Sequence, residues 1–167
     1  MKDNIYLIGF MGSGKSAAAA AFRRQNGFHI LEMDEEIGKR EEMTIPEIFA
    51  QKGEDYFRAL ETELLRELSG EKGIVVSCGG GVPMRRENVE LMKKAGRIVL
   101  LTASPETILM RVGDGSGRPL LAGKTPGGVK ELMEARRPFY ESAADICVQT
   151  DGKTPEMICR EILEKIG

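Results

Sequence analysis

One stretch near the N-terminus, Gly9-Phe10-Met11-Gly12-Ser13-Gly14-Lys15-Ser16, limits what this chain can fold into more than any other. It fits the pattern G-x-x-x-x-G-K-[ST], in which backbone N–H groups close around phosphate oxygens, a lysine reaches the terminal phosphates and a hydroxyl is placed for Mg²⁺. Such a loop needs a strand before it and a helix after it. Ile5-Tyr6-Leu7-Ile8 is a short β-prone run, and Ala17 to Phe22 is a strong helix former, so the surrounding sequence supplies both.

The chain has 167 residues and a formal net charge of -2, which suggests a single domain with a sizeable core. That balance argues against a general polyanion binder or a membrane-surface protein, so phosphate affinity has to come from locally placed cations. Cys78, Cys147 and Cys159 are odd in number and lack C-x-x-C spacing. This argues against a disulfide framework or zinc site and agrees with a reducing cytosol; all three are expected to be buried apolar thiols. Lys2 and the apolar run after it imitate the start of a secretory signal, but Gly12-Ser13-Gly14-Lys15 interrupts the run before any cleavage-like site, so a first strand is expected. No segment has the apolar length of a membrane span. The expectation is a cytoplasmic protein that binds neither nucleic acid nor membrane.

Along the chain, Phe28 to Met33 reads as a second strand ending at Asp34. Glu32 and Asp34 alternate around Met33, so a period of two puts both carboxylates on one face, at the strand end where open α/β sheets bind ligands. Alternatively, Asp34 simply caps a helix beginning at Glu35. His29, the lone histidine, is expected at a strand edge rather than as a base. Two short helices divided near Thr44-Ile45-Pro46 follow, then an amphipathic helix from Gly53 to Leu68 with Phe57, Leu60, Leu64, Leu65 and Leu68 at helical spacing. Arg58 and Glu61 on it could be no more than a surface i,i+3 pair.

Gly73 to Cys78 is a β-branched run typical of a strand buried on both faces, and it stops at Gly79-Gly80-Gly81, where backbone can approach a ligand closely. Many P-loop enzymes place a metal-supporting acid near this strand end. Ser77-Cys78 stands there, which leaves Glu32 as the nearest candidate. A helix over Arg86 to Lys94, a strand over Arg97 to Leu101 and a helix capped by Ser104 with Pro105 at its first position continue the alternation. Gly113-Asp114-Gly115-Ser116-Gly117, flanked by Arg111 and Arg118, suits either a mobile cationic lid or a surface loop with incidental arginines. A helix over Gly128 to Tyr140, a strand over Asp145 to Gln149 and a helix started by Thr154-Pro155 complete one α/β domain with a parallel sheet.

Taken in order, the phosphate loop, Asp34, Phe57-Arg58 with Glu61, Gly79-Gly80-Gly81, Arg118-Pro119-Leu120-Leu121 and Arg136-x-Pro138-x-Tyr140 resemble shikimate kinase from the first strand to the last helix. The resemblance implies a three-layer α/β P-loop kinase of the nucleoside-monophosphate-kinase-like type, with five parallel strands in the order 2-3-1-4-5 and a helical lid. The substrate-binding region would span 34–62 and the lid 112–124. It implies ATP-dependent phosphorylation of the 3-hydroxyl of shikimate, Mg²⁺ as cofactor, shikimate and ATP as partners, and a monomer.

At the matched positions, Lys15, Asp34 and Arg118 would be catalytic. Asp34, Arg58, Gly79, Gly80, Gly81 and Arg136 would bind shikimate, whose carboxylate wants guanidinium forks and whose hydroxyls want a carboxylate. Gly12, Ser13, Gly14, Lys15, Ser16, Ala17, Arg111, Arg118 and Lys153 would bind nucleotide, and Ser16 and Glu32 would hold the metal. Two positions depart from the family's usual residues: Glu32 stands for aspartate, and Lys153 for an arginine against the base. Other readings are a different small P-loop kinase such as a gluconate kinase, a GTPase-like switch, or a degenerate kinase kept as a regulatory module. For the switch, Asp114-Gly115-Ser116-Gly117 spells D-x-x-G, but no N-K-x-D guanine reader accompanies it.

Overall fold

The computed structural model describes residues 3–112 and 126–167. Asn4–Ile8 (β1), His29–Glu32 (β2), Ile74–Ser77 (β3), Gly96–Thr102 (β4) and Ile146–Gln149 (β5) pair in parallel in the order β2-β3-β1-β4-β5. This is the order that the resemblance implies. Parallel neighbours need long crossovers, and helices supply them. They are α1 (Lys15–Asn26), α2 (Met33–Glu41), α3 (Ile45–Lys52), α4 (Glu54–Leu68), α5 (Arg86–Ala95), α6 (Pro105–Val112) and α7 (Pro126–Ala143), while α8 (Pro155–Ile166) follows the last strand.

Successive strand residues point to opposite faces, so β1 feeds two cores. Tyr6 and Ile8 join Val76, Ile98 and Leu100 under α2 to α5 and α7. Ile5 and Leu7 join Val75, Val99, Leu101 and Val148 under Ala18, Ala21 and Phe22 of α1 and Ile158 and Ile162 of α8. Burial on both faces is why β3 and β4 read as continuous apolar runs. The outer strands behave differently. His29 is exposed on β2, as expected of an edge. Cys78 and Cys159 are buried, but Cys147 is exposed, because β5 pairs only with β4 and alternate positions of that edge strand face outward.

The helix starts near Thr44 and at Ser104 and Thr154 fall where the sequence puts them. Thr44 and Glu47 form a reciprocal capping box, Ser104 Oγ accepts from Thr107 N at 3.2 Å and Thr154 Oγ1 from Met157 N at 3.2 Å. One boundary moves. β2 stops at Glu32, and Met33, buried in the core, already opens α2, so Asp34 stands in a helical first turn and not on the strand. Alternation is therefore not what brings Glu32 and Asp34 together. Asp34 is no cap either, because the N-cap position is Glu32 and no side chain bonds there.

A buried asparagine seats α4. Asn4 Nδ2 donates to the carbonyls of Leu68 at 3.3 Å and Glu71 at 3.1 Å, and its Oδ1 accepts from Ile74 N at 3.2 Å. This adds a side-chain donor at the C-terminus of α4, where Leu68 O also accepts from Glu71 N at 2.9 Å, and ties the end of α4 to the start of β3.

Candidate active site

The phosphate loop runs from the end of β1 into α1. Gly14 occupies the N-cap with φ 104°, a left-handed conformation that a side chain would strain, and no side chain caps the helix. The first N–H groups of α1 and the positive end of its dipole are thus left for an anion. Lys15 Nζ folds back onto the loop and donates to Gly9 O at 2.7 Å and Phe10 O at 3.1 Å.

Strand register brings a carboxylate to the hydroxyl that follows. Glu32 pairs with Ser77, and Ser77 with Leu7 just before the loop. Ser16 Oγ donates to Glu32 Oε2 at 3.0 Å. Burial raises the Glu32 pKa, and the hydroxyls of Ser16 and Ser77 oppose that rise.

Three consecutive glycines receive four charged groups. A β-carbon on Gly79 would lie 2.8 Å from Glu61 Oε2 and 3.0 Å from Asp34 Oδ1. On Gly80 it would lie 2.9 Å from Arg136 Nη1, and on Gly81 2.5 Å from Arg58 Nη1. α2, α4 and α7 therefore deliver their functional side chains to one short loop. Tyr140, one turn beyond Arg136, donates to Gly80 O at 2.7 Å, and the Arg136 guanidinium sits 5.9 Å from the Phe10 ring centre.

Arg58 and Glu61 are not the surface pair that spacing alone allows. Arg58 Nη1 donates to Glu61 Oε1 at 2.8 Å, and the Glu61 side chain is 0% exposed. Burial pushes the Glu61 carboxyl up to about 7 against the opposing pull of Arg58, with Asp34 adding to the rise. Burial works against the Arg58 charge, but Glu61 and Glu54 outweigh it and raise its pKa. Among the described residues, Glu61 Oε2 and Arg136 Nη1 are buried without a hydrogen-bond partner. Such atoms are costly and most often kept where a function needs them.

A cleft of about 440 Å³ joins these parts, with Lys15, Ser16 and Arg111 toward the phosphate loop and Asp34, Arg58, Glu61 and the three glycines across from them. Gly12, Gly14, Ala17 and Glu32 also line it. Three expected site residues do not. Ser13 is buried, Arg136 is buried with its Nη1 against Gly80, and Lys153 Nζ pairs with Glu161 at 2.7 Å. Arg118 and most of the expected 112–124 lid lie outside the described residues.

Thr150, after β5, is a residue that sequence reasoning missed. Its Oγ1 stands 2.9 Å from both Ser13 O and Thr102 O and accepts from Arg111 Nη1 at 3.4 Å, while that nitrogen also donates to Gly12 O at 2.9 Å. This buried hydroxyl pins the phosphate loop to the end of β4. Its only signal was a polar residue directly after a strand. For Tyr140, the signal was its i+4 spacing from Arg136.

The family described as shikimate kinase matches residues 11–167. The chain belongs to the shikimate kinase family. A shikimate kinase from Persephonella marina is 43% identical over 163 residues, which cover 98% of each sequence. The solved structure of shikimate kinase from Acinetobacter baumannii in complex with shikimate superposes with a TM-score of 0.94 at 34% identity, covering 99% of this chain and 93% of that one. A gluconokinase from Sinorhizobium meliloti, at 20% identity and a TM-score of 0.62 over 97% of this chain and 90% of that one, shares the fold alone. Membership in the shikimate kinase family thus rests on sequence as well as on topology.

Proposed function

We propose that this chain works as one kinase domain that transfers the γ-phosphoryl group of ATP to the 3-hydroxyl of shikimate, giving shikimate 3-phosphate and ADP in chorismate and aromatic amino acid biosynthesis. The observation that carries this reading is the single cleft in which Lys15 and Ser16 face Asp34, Arg58 and Gly79 to Gly81. Its volume of about 440 Å³ falls within the usual range for small-molecule sites.

Phosphoryl transfer asks mainly for positioning and electrostatic support. Lys15 exchanges its loop carbonyls for phosphate oxygens, and the N–H groups from Gly12 to Ala17 hold the remainder. Arg58 and Arg136, converging on Gly81 and Gly80, take the substrate carboxylate. The buried Arg136 Nη1 is a donor that a carboxylate can use. Asp34 orients the acceptor hydroxyl and receives its proton as the new O–P bond forms. Arg111 faces the nucleotide end of the cleft, and the resemblance assigns Arg118 to the transferring group. The Lys153 ammonium, held by Glu161, offers charge near the base but no planar surface for stacking.

Ser16 and Glu32 fit Mg²⁺. Ser16 would offer the ion its hydroxyl oxygen, and the Glu32 carboxylate, hydrogen-bonded to that hydroxyl at 3.0 Å, would support it through water. When bound, the ion would neutralise phosphate charge.

The test is ADP release from ATP and Mg²⁺ in the presence of shikimate, gluconate or neither. Release that depends on shikimate is expected. Equal release with gluconate, or release indifferent to any acceptor, would overturn the proposal.

A further inference from the structure

Between α4 and the loop after β3 runs a buried polar bridge that the roles above do not use. Thr62 lies one turn beyond Arg58 on α4, and Asn88 lies in the first turn of α5; both are buried, Asn88 completely. Thr62 Oγ1 and Asn88 Oδ1 are 2.7 Å apart, and Asn88 Nδ2 donates to Val82 O at 2.9 Å. A carbonyl can only accept, so the carboxamide must turn its NH₂ to Val82 and its oxygen to the Thr62 hydroxyl. Arg85 Nη1 donates to that same hydroxyl at 3.2 Å. Val82 in turn donates its N–H to Gly79 O at 3.1 Å, which closes the glycine turn.

The bridge runs parallel to a second contact between the same two elements, the Arg58 guanidinium against Gly81. Hydrogen bonds are directional and short, and a buried one that breaks leaves its partner unsatisfied. α4 therefore cannot slide along the glycine loop without stranding the Asn88 carboxamide.

We propose that Thr62 and Asn88 are positioning residues for the acid-binding end of the cleft, holding α4 at the height where the Arg58 guanidinium meets Gly81. This rests on the reading of Arg58 as a carboxylate-binding group. The nucleotide end is pinned separately, through Thr150 to the ends of β4 and β5. Loss of the bridge should therefore be felt by one substrate and not by the other.

Thr62→Val keeps the shape of the side chain but removes the hydroxyl, whereas Thr62→Ser keeps the hydroxyl. Steady-state kinetics should show the KM for shikimate raised about 3- to 10-fold in Thr62→Val, the factor expected of one buried hydrogen bond, with the KM for ATP unchanged. Thr62→Ser should return the wild-type value. Asn88→Ala should give the same selective rise, and the Thr62→Val/Asn88→Ala pair should fall short of the sum of the two single effects, because the Thr62–Asn88 hydrogen bond is common to both. A purely structural role would lower Tm and leave the ratio of the two KM values where it was. That result, equal rises in both KM values, or failure of Thr62→Ser to restore shikimate affinity would each overturn the proposal. Should Thr62→Val not fold, Asn88→Ala and Thr62→Ser decide by the same ratio. Wild-type ADP release with shikimate, measured first, separates the two levels: without it the proposed function falls, and with it only the bridge is on trial.

Discussion

The guanidinium of Arg58 rests so closely on Gly81 that a β-carbon at position 81 would stand 2.5 Å from Nη1 and 2.6 Å from Cζ. The glycine is there for space, since its φ of -92° suits any residue. Gly81→Ala should displace the arginine rather than the backbone. We expect the KM for shikimate to rise by about tenfold or more, as for a misplaced charged contact, with Tm little changed. Kinetics alongside a thermal melt check this; an unaltered KM would mean that Arg58 does not act from this position.

Glu61 makes stability depend on pH. Its folded-state pKa of about 7 stands above the ordinary 4.5, so the native state binds more protons than the unfolded chain between these values. Its stabilising contribution is complete below about pH 4.5 and lost as pH rises through 7. Glu61→Gln, neutral throughout, should flatten the slope in that window, by up to about 3 kcal/mol for a shift of this size. Denaturant unfolding at pH 5 and pH 8 reads the difference, and parallel curves for the two proteins would refute it.

Lys15→Ala should lower kcat by about 10²-fold or more, the cost typical of losing a preorganised charge at the reacting group. The fold should persist, because Lys15 lies outside both apolar cores. Turnover near wild type with an unchanged circular dichroism spectrum would remove the phosphate loop from the mechanism.

Glu32→Gln keeps the shape of the side chain and removes its charge. The Mg²⁺ concentration giving half-maximal rate should rise about tenfold, and calorimetric binding of Mg²⁺-ADP should weaken in step. Glu32→Asp shortens the reach to Ser16 Oγ, now 3.0 Å, but keeps the charge, and should fall between. Identical Mg²⁺ dependence in all three proteins would separate Glu32 from the metal.

Much of this is legible in the sequence. The alternation of strand and helix, the helix starts near Thr44 and at Ser104 and Thr154, and the glycine triplet all depend on neighbours a few residues apart. Asp34 shows where such reasoning slips. A period of two predicted a strand position, but Met33 was needed in the core and started α2 early, so the carboxylate reached the cleft from a helix. Cys147 is similar: apolar composition suggested burial, yet burial depends on whether a strand lies at the sheet's edge.

The order of residues along the chain determined the phosphate loop outright, because its strand, turn and helix are consecutive and its backbone donors come from adjacent peptide units. Only the tertiary structure decided that Glu61, Arg58 and Arg136, carried on helices separated by two strands, would meet at Gly79, Gly80 and Gly81, and that Thr150 would hold the loop from the far end of the chain. Convergence of that kind follows from which strands are neighbours in the sheet, and strand order is set by the packing of both cores together rather than by any local pattern.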